Sequence, residues 1–332
     1  MRKAMMRSFG PPDVLEIIEA EIPSPKPHEV LVRVTSIGMN RSDVDCRRGI
    51  YPVKPGLPSG IGWEAGGIVE QADENSTFRK GDRVSSLPCS KFVDVTDYGR
   101  TADYFVANAD WLTRTPESVS DRDAGAIWIN YLTAYGALMD VGMLERGETI
   151  VISAASGATG IAAMQIAKLT RARVIATTRS GDKCDRLLAA DADHVINTRT
   201  EDYVGRVLAL TGGRGADFIF DPITGPFVAK HLEAVRRNGR VLIYGVLTYP
   251  EFASFDPDVL INKHITLRGY TVDDPYLANR SALTRAIRVI SGHLDEGGLR
   301  PVICRRFPLE QVVEAHEFSE SARQFGKILI NP

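Results

Sequence analysis

At 332 residues the chain is longer than one hydrophobic core usually serves, which points to two domains, and its 44% apolar and 25% charged residues exclude a largely disordered or fibrous protein. The 40 basic and 42 acidic residues nearly cancel and are interspersed, which excludes a broad positive field for nucleic acid and favours a small-molecule partner. No apolar run approaches the roughly 20 residues that span a bilayer, and Met1-Arg2-Lys3-Ala4-Met5 leads into no long apolar stretch, so a cytoplasmic protein without membrane contact is expected.

Up to about residue 110, short apolar runs such as Val30-Leu31-Val32-Arg33-Val34, Gly67-Ile68-Val69-Glu70 and Asp82-Arg83-Val84 alternate with Gly- and Pro-rich turns, which predicts a β-rich domain. From about Thr149 the pattern becomes strand then helix. The predicted strands are Thr149–Ser153, Arg173–Thr178, His194–Asn197, Asp217–Asp221, Arg240–Gly245 and Ile265–Arg268. Between them, apolar residues recur at helical spacing: Ile161, Ile166 and Leu169; Leu187 and Leu188; Val204, Val207 and Leu208; Val228, Leu232 and Val235. Right-handed crossovers then give a doubly wound α/β domain with a parallel six-stranded sheet. Past Thr271, a helix over Ser281–Gly292 and the apolar run Lys327-Ile328-Leu329-Ile330 are expected to return to the first domain. Residues 1–122 and 271–332 would form one domain and 123–270 the other. The cysteines at 46, 89, 184 and 304 are too scattered for a CxxC pair, and reduced, mostly buried thiols are expected.

After the first strand of the α/β half comes Ala155-Ser156-Gly157-Ala158-Thr159-Gly160, a dinucleotide-binding turn whose first glycine is replaced by Ala155. Gly157 would let backbone approach a pyrophosphate, Gly160 would let the helix sit close to the strand, and the helix N-terminus supplies N–H groups for the diphosphate. About 20 residues on, an NAD enzyme usually places an acidic residue for the ribose hydroxyl. Here Thr178 holds that place, followed by Arg179 and Ser180, and the positive charges of Arg179 and Lys183 suit a 2′-phosphate. NADP(H) is the expected cofactor.

The runs Ser36-Ile37-Gly38-Met39-Asn40-Arg41-Ser42-Asp43, Arg48-Gly49-Ile50-Tyr51-Pro52, Gly60-Ile61-Gly62-Trp63-Glu64-Ala65-Gly66-Gly67, Gly81-Asp82-Arg83-Val84 and Leu132-Thr133-Ala134-Tyr135, in this order, resemble the medium-chain dehydrogenase/reductase superfamily, most closely its quinone oxidoreductase branch. The resemblance implies a GroES-like catalytic domain beside the Rossmann domain, an active site between them, and a homodimer. Zinc-dependent members carry a cysteine in the place of Asn40 and a histidine in that of Trp63. Neither residue here is such a ligand, and Glu64 alone does not make a catalytic site, so no metal is expected.

Without a Lewis acid, reduction of a conjugated acceptor is favoured over oxidation of a simple alcohol, since the charge that follows hydride transfer spreads over the conjugated system. The resemblance therefore implies NADPH-dependent reduction of quinones or α,β-unsaturated carbonyl compounds. It places Asn40 and Thr133 near the nicotinamide, Tyr51 in the active-site cleft as a stacking surface or acid, and Gly245 and Val246 at the carboxamide. It also places Arg323 near a 2′-phosphate contact, offset by about one position. Asn40 is equally read as a turn residue and Thr133 as a helix-start hydroxyl. Met39, Ile50, Trp63, Trp128 and Phe255 are candidates for an apolar wall or for core. Two other functions stay open: an enoyl-thioester reductase, and a noncatalytic NADPH-binding sensor or structural protein.

Overall fold

The computed structural model describes residues 1–88, 99–273, 275–276 and 279–332, so Cys89 lies outside the described residues. The chain forms two compact units, Met1–Asn130 with Val289–Pro332, and Tyr131–Arg288.

The first segment of unit 1 carries β1 (Arg2–Met6), β2 (Leu15–Glu19), β3 (Glu29–Met39), α1 (Arg41–Arg47), β4 (Ser59–Gly60), β5 (Glu64–Ala72), β6 (Arg83–Ser86), β7 (Tyr104–Asn108) and β8 (Leu112–Arg114). Strand β3 is the axis of the larger sheet and pairs with both β5 and β7. Its branched residues Val30, Val32 and Val34 alternate into the core, and a register shift between Val34 and Ser36 turns the pleat over so that Ile37 is buried too. Each such side chain, fully buried, stabilises the fold by about 1.5–3 kcal/mol. A 3₁₀ segment, Asp121–Ala126, crosses directly over β3 and β5. It does so where glycines leave room: a Cβ on Gly38 would stand 1.8 Å from the Gly125 carbonyl oxygen, and one on Gly66 would stand 2.4 Å from the Ala124 Cβ.

Helix α2 (Trp128–Tyr135) leads into unit 2, which holds β9 (Thr149–Ile152), α3 (Ala158–Leu169), β10 (Arg173–Thr178), α4 (Cys184–Ala189), β11 (His194–Asn197), α5 (Tyr203–Leu210), β12 (Ala216–Asp221), α6 (Phe227–Ala234), β13 (Val235–Ile243), α7 (Asp258–Lys263) and β14 (Thr266–Gly269). The six strands are all parallel, in the order β11-β10-β9-β12-β13-β14. The order reverses between β9 and β12, the switch point at which such sheets bind ligands beyond their carboxyl ends. Val151, Ile175, Ile219 and Val241, one from each of four neighbouring strands, share its core.

The expected strands are present, with shifted ends. Val235, read as the last apolar residue of a helix, opens β13 instead. It pairs with Ala216 while Arg240 pairs with Phe218, so the residues between them bulge out, with Asn238 at a left-handed φ of 57°. Leu169 and Leu188, read as core-facing, are 39% and 47% exposed.

The chain continues with α8 (Arg280–Asp295), β15 (Ile303–Pro308), α9 (Val312–Glu320) and β16 (Lys327–Asn331). Strand β16 pairs parallel with β15 and antiparallel with β3, completing the seven-stranded sheet of unit 1. The units divide at 130/131 and 288/289, inside α2 and α8, where the sequence reading placed boundaries at 122/123 and 270/271. The 3₁₀ segment explains the first shift, since its packing on β3 and β5 commits it to unit 1. The start of α8 stays with unit 2 because Arg285 pairs with Asp140 at 2.6 Å, beside Tyr276.

Of the three described cysteines only Cys46 is buried, and Cys184 and Cys304 are partly exposed. Among the described residues no helix is long and apolar enough to cross a membrane.

Candidate cofactor and active site

In unit 2, the chain leaves β9 through a tight turn. Ala154 takes a left-handed φ of 47°, and Gly157 N–H donates to its carbonyl at 3.0 Å. Helix α3 then starts at Ala158, so Ser156, Gly157, Ala158, Thr159 and Gly160 form the turn and the first helical residues. The two glycines differ in what surrounds them. A Cβ on Gly160 would lie 2.6–2.8 Å from the Ala155 backbone, so glycine there lets the helix press against the turn. A Cβ on Gly157 would meet nothing closer than the Ala154 carbonyl oxygen at 3.5 Å, and its φ of −73° suits any residue. The protein itself does not require glycine at 157. A backbone left bare there, at the N-terminus of a helix of 12 residues, fits the close approach of a diphosphate.

At the end of β10, Thr178 is buried and its hydroxyl accepts from Ser180 N–H at 3.1 Å. Thr198 donates to the Thr178 carbonyl through its backbone N–H and its hydroxyl. Arg179 is exposed and forms no ion pair among the described residues. Lys183, expected as a second surface charge, is only 6% exposed. The Ser180 hydroxyl donates to Asp182 and holds that carboxyl below its usual range.

Gly245 and Val246 follow β13 rather than closing it. Their loop is tied to the one after β12: Leu247 N–H donates to the Pro222 carbonyl at 2.9 Å and the Thr248 hydroxyl to that of Ile223 at 3.0 Å. Asp221 anchors the first loop by accepting from the Ile223 and Thr224 N–H groups. Burial pushes the Asp221 carboxyl up, but His231 and these N–H groups outweigh it and leave it below its usual range. His231 touches Asp221 at 3.1 Å, Tyr203 OH at 2.8 Å and Ser153 Oγ at 3.4 Å. Despite the Ser-His-Asp composition, Ser153, His231 and Asp221 are wholly buried, so the trio is a brace for the sheet end.

Thr133 is the sixth residue of α2, not a helix-start hydroxyl, and is 9% exposed. Among the described residues its hydroxyl has no hydrogen-bond partner.

In unit 1, Asn40 precedes α1, and its N–H donates to the Asp43 carboxylate at 2.7 Å, the return half of a capping box. Its side chain joins a buried polar cluster. Lys327, at the head of β16, donates from Nζ to Asn40 Oδ1 and to Glu64 Oε2, each at 2.7 Å. Asn40 Nδ2 donates to the Gly38 carbonyl at 3.0 Å and to Glu64 Oε2 at 3.2 Å, and Glu64 Oε1 accepts from Ile129 N–H at 3.0 Å. Lys327 and Glu64 are 2% and 1% exposed. Asp43, beside them, is pushed up to about 7 by burial, against the pull of Asn40 N–H and of Lys327. Sequence reasoning missed Lys327 and gave Glu64 no partner. The available signal was a charged residue flanked by apolar or glycine residues in each strand, since such charges are buried only when paired.

Tyr51 is partly buried at the edge of the unit 1 core, its ring 6.0 Å from that of Trp63. Met39, Trp128 and Phe255 pack in or against cores. Arg323 is exposed, with its guanidinium 5.3 Å from the Phe318 ring and Nε donating to Ser321.

Residues 26–117 match the alcohol dehydrogenase GroES-like domain and residues 158–291 the zinc-binding dehydrogenase domain. The chain is 30% identical to human quinone oxidoreductase over 319 residues, 96% of this chain and 93% of that protein. Its fold superposes on the Escherichia coli quinone oxidoreductase solved with NADPH, with a TM-score of 0.91 at 27% identity and full coverage of both chains. An NAD-dependent alcohol dehydrogenase structure superposes with a TM-score of 0.88 at 29% identity, again over the whole of both chains. The chain therefore belongs to the medium-chain dehydrogenase/reductase superfamily, in its quinone oxidoreductase branch.

Proposed function

We propose that this protein is an oxidoreductase that transfers a hydride from NADPH to a quinone or an α,β-unsaturated carbonyl compound without a metal. The observation that carries the cofactor reading is the pairing of the open Gly157 turn with an exposed Arg179 next to Thr178, which holds the place where an NAD enzyme usually has a carboxylate. Ser156 to Gly160 would hold the diphosphate, and Arg179 the 2′-phosphate, with Thr178 and Ser180 shaping that corner. Lys183, being buried, would act through the field of its charge. Arg323, exposed beyond α9, stays a second candidate for the 2′-phosphate.

The bound nucleotide supplies the hydride, two electrons and a proton together. The chain's own groups orient it: Gly245 and Val246 offer backbone to the carboxamide, Thr133 a hydroxyl, and Asn40 an amide. The tilted Tyr51 and Trp63 rings offer a surface for a planar acceptor. A quinone takes its second proton from solvent, while the carbon of an enolate takes it from solvent or from Tyr51. The edge strand β14 and, in the same unit, the exposed Tyr249, Phe252 and Ile261 support a homodimer.

The test follows NADPH consumption by metal-stripped protein with p-benzoquinone and with an alkyl enone, against NADH. Turnover with NADPH that chelator leaves unchanged is expected, with Arg179→Ala weakening NADPH binding about tenfold, roughly 1.4 kcal/mol, and leaving NADH binding unaltered. Equal use of NADH by the wild type would favour the second reading, an NAD-dependent alcohol dehydrogenase like its structural neighbour.

A further inference from the structure

We propose that Lys327 is a positioning residue that makes Asn40 a hydrogen-bond acceptor only. This rests on the reading of Asn40 as a group at the nicotinamide end of the cofactor.

An ammonium donates and never accepts, so the Asn40 atom 2.7 Å from Lys327 Nζ is the carbonyl oxygen. That contact settles which way the amide points. The NH₂ group then faces two acceptors, the Gly38 carbonyl and Glu64 Oε2, and both of its hydrogens are used. Turning the amide over would set NH₂ against an ammonium and oxygen against a carboxylate and a carbonyl. Inside a buried cluster that reversal is strongly opposed. Glu64 Oε2 accepts from the same ammonium, and Ile129 N–H fixes the far oxygen of Glu64.

With its oxygen on Lys327 and both amide hydrogens used, Asn40 has no hydrogen to give. On the proposed reading, any nucleotide atom that meets Asn40 is a donor, a carboxamide N–H or a ribose O–H. It is not the oxygen of the acceptor, on which negative charge develops, so Asn40 takes no part in an oxyanion hole. Lys327, which orders this amide from a strand far along the chain, acts through Asn40 without touching the reacting atoms.

The experiment is a double-mutant cycle on the full-length protein, read as the single-turnover rate of hydride transfer to p-benzoquinone and its isotope effect with 4-deuterated NADPH. The lysine side is Glu64→Gln with Lys327→Met, which removes both charges together so that neither is left buried and alone. In that background the amide introduced at position 64 can donate or accept, and only the Gly38 carbonyl still opposes a flip of the Asn40 amide. The expected result is a loss of about tenfold in the hydride step, a raised isotope effect, and a change of less than about threefold in NADPH dissociation constant. Asn40→Ala is expected to lose about as much, and the triple variant to be no slower than Asn40→Ala alone. If the losses multiply in the triple variant, or the charge-free pair runs at the wild-type rate, the proposal is overturned. If Asn40→Ala runs at the wild-type rate, the reading of Asn40 itself fails, a different result. Circular dichroism checks the fold of each variant, and Glu64→Gln with Lys327→Gln serves should the methionine variant not fold.

Discussion

The Asn40 cluster and the Gly157 turn are built on opposite plans. In the cluster, Asn40, Glu64 and Lys327 answer one another's hydrogen bonds at 2.7–3.2 Å and are buried. At the turn, Gly157 is bare, Arg179 stands exposed, and the first helical turn offers N–H groups that the helix does not use. A group that must hold one orientation is best finished within the protein, whereas a group that recognises a charged ligand is best left unfinished. The closed plan should fail by losing stability, the open plan by losing affinity.

The largest effect is expected from breaking the closed plan on one side. Lys327→Met alone leaves Glu64 charged, buried and unpaired, and should lower unfolding free energy by about 3–5 kcal/mol in denaturant titration. Adding Glu64→Gln should restore most of it. Should the single variant prove as stable as wild type, Glu64 is not the buried anion described above.

The two glycines sharpen the comparison inside the open plan. Gly160→Ala forces a Cβ against the Ala155 backbone, and should cost about 1–3 kcal/mol of stability and abolish NADPH binding. Gly157→Ala should leave the melting temperature unchanged yet weaken NADPH in calorimetric titration. Equal behaviour of the two variants would mean that Gly157 serves packing, not a ligand.

A third comparison lies in the pH dependence of the cluster. Asp43 has a native value of about 7 against roughly 3.9 in an unfolded chain, so the native state binds the extra proton between these values. Its contribution is fully present below about pH 4 and is lost as pH rises through about 7, at no more than about 1.4 kcal/mol per pH unit. Asp43→Asn should flatten that slope and gain on wild type most above pH 7. A slope unchanged by the substitution would assign the proton elsewhere.

The open plan was largely legible in the sequence, the closed one was not. The strands of unit 2 and the glycine turn follow from local spacing, because each crossover buries a periodic apolar face and the turn sits between its strand and its helix. What escaped depends on distant pairing. Lys327 meets Glu64 only because β16 and β5 both lie against β3, and no local pattern joins positions so far apart. Lys183 follows a strand as a surface lysine would, yet the 3₁₀ turn Gly181–Lys183 turns it inward. The bulge before Arg240 similarly reflects a pairing with β12 that no window around Val235 contains.

Strand β16 also sets a timetable. Every strand of the six-stranded sheet lies between Thr149 and Gly269, so the cofactor unit can assemble while translation is still under way. The sheet of unit 1 must wait, because two of its strands lie beyond Ile303. During synthesis Glu64 and Asn40 remain without their lysine, which the ribosome delivers only after every strand of the six-stranded sheet.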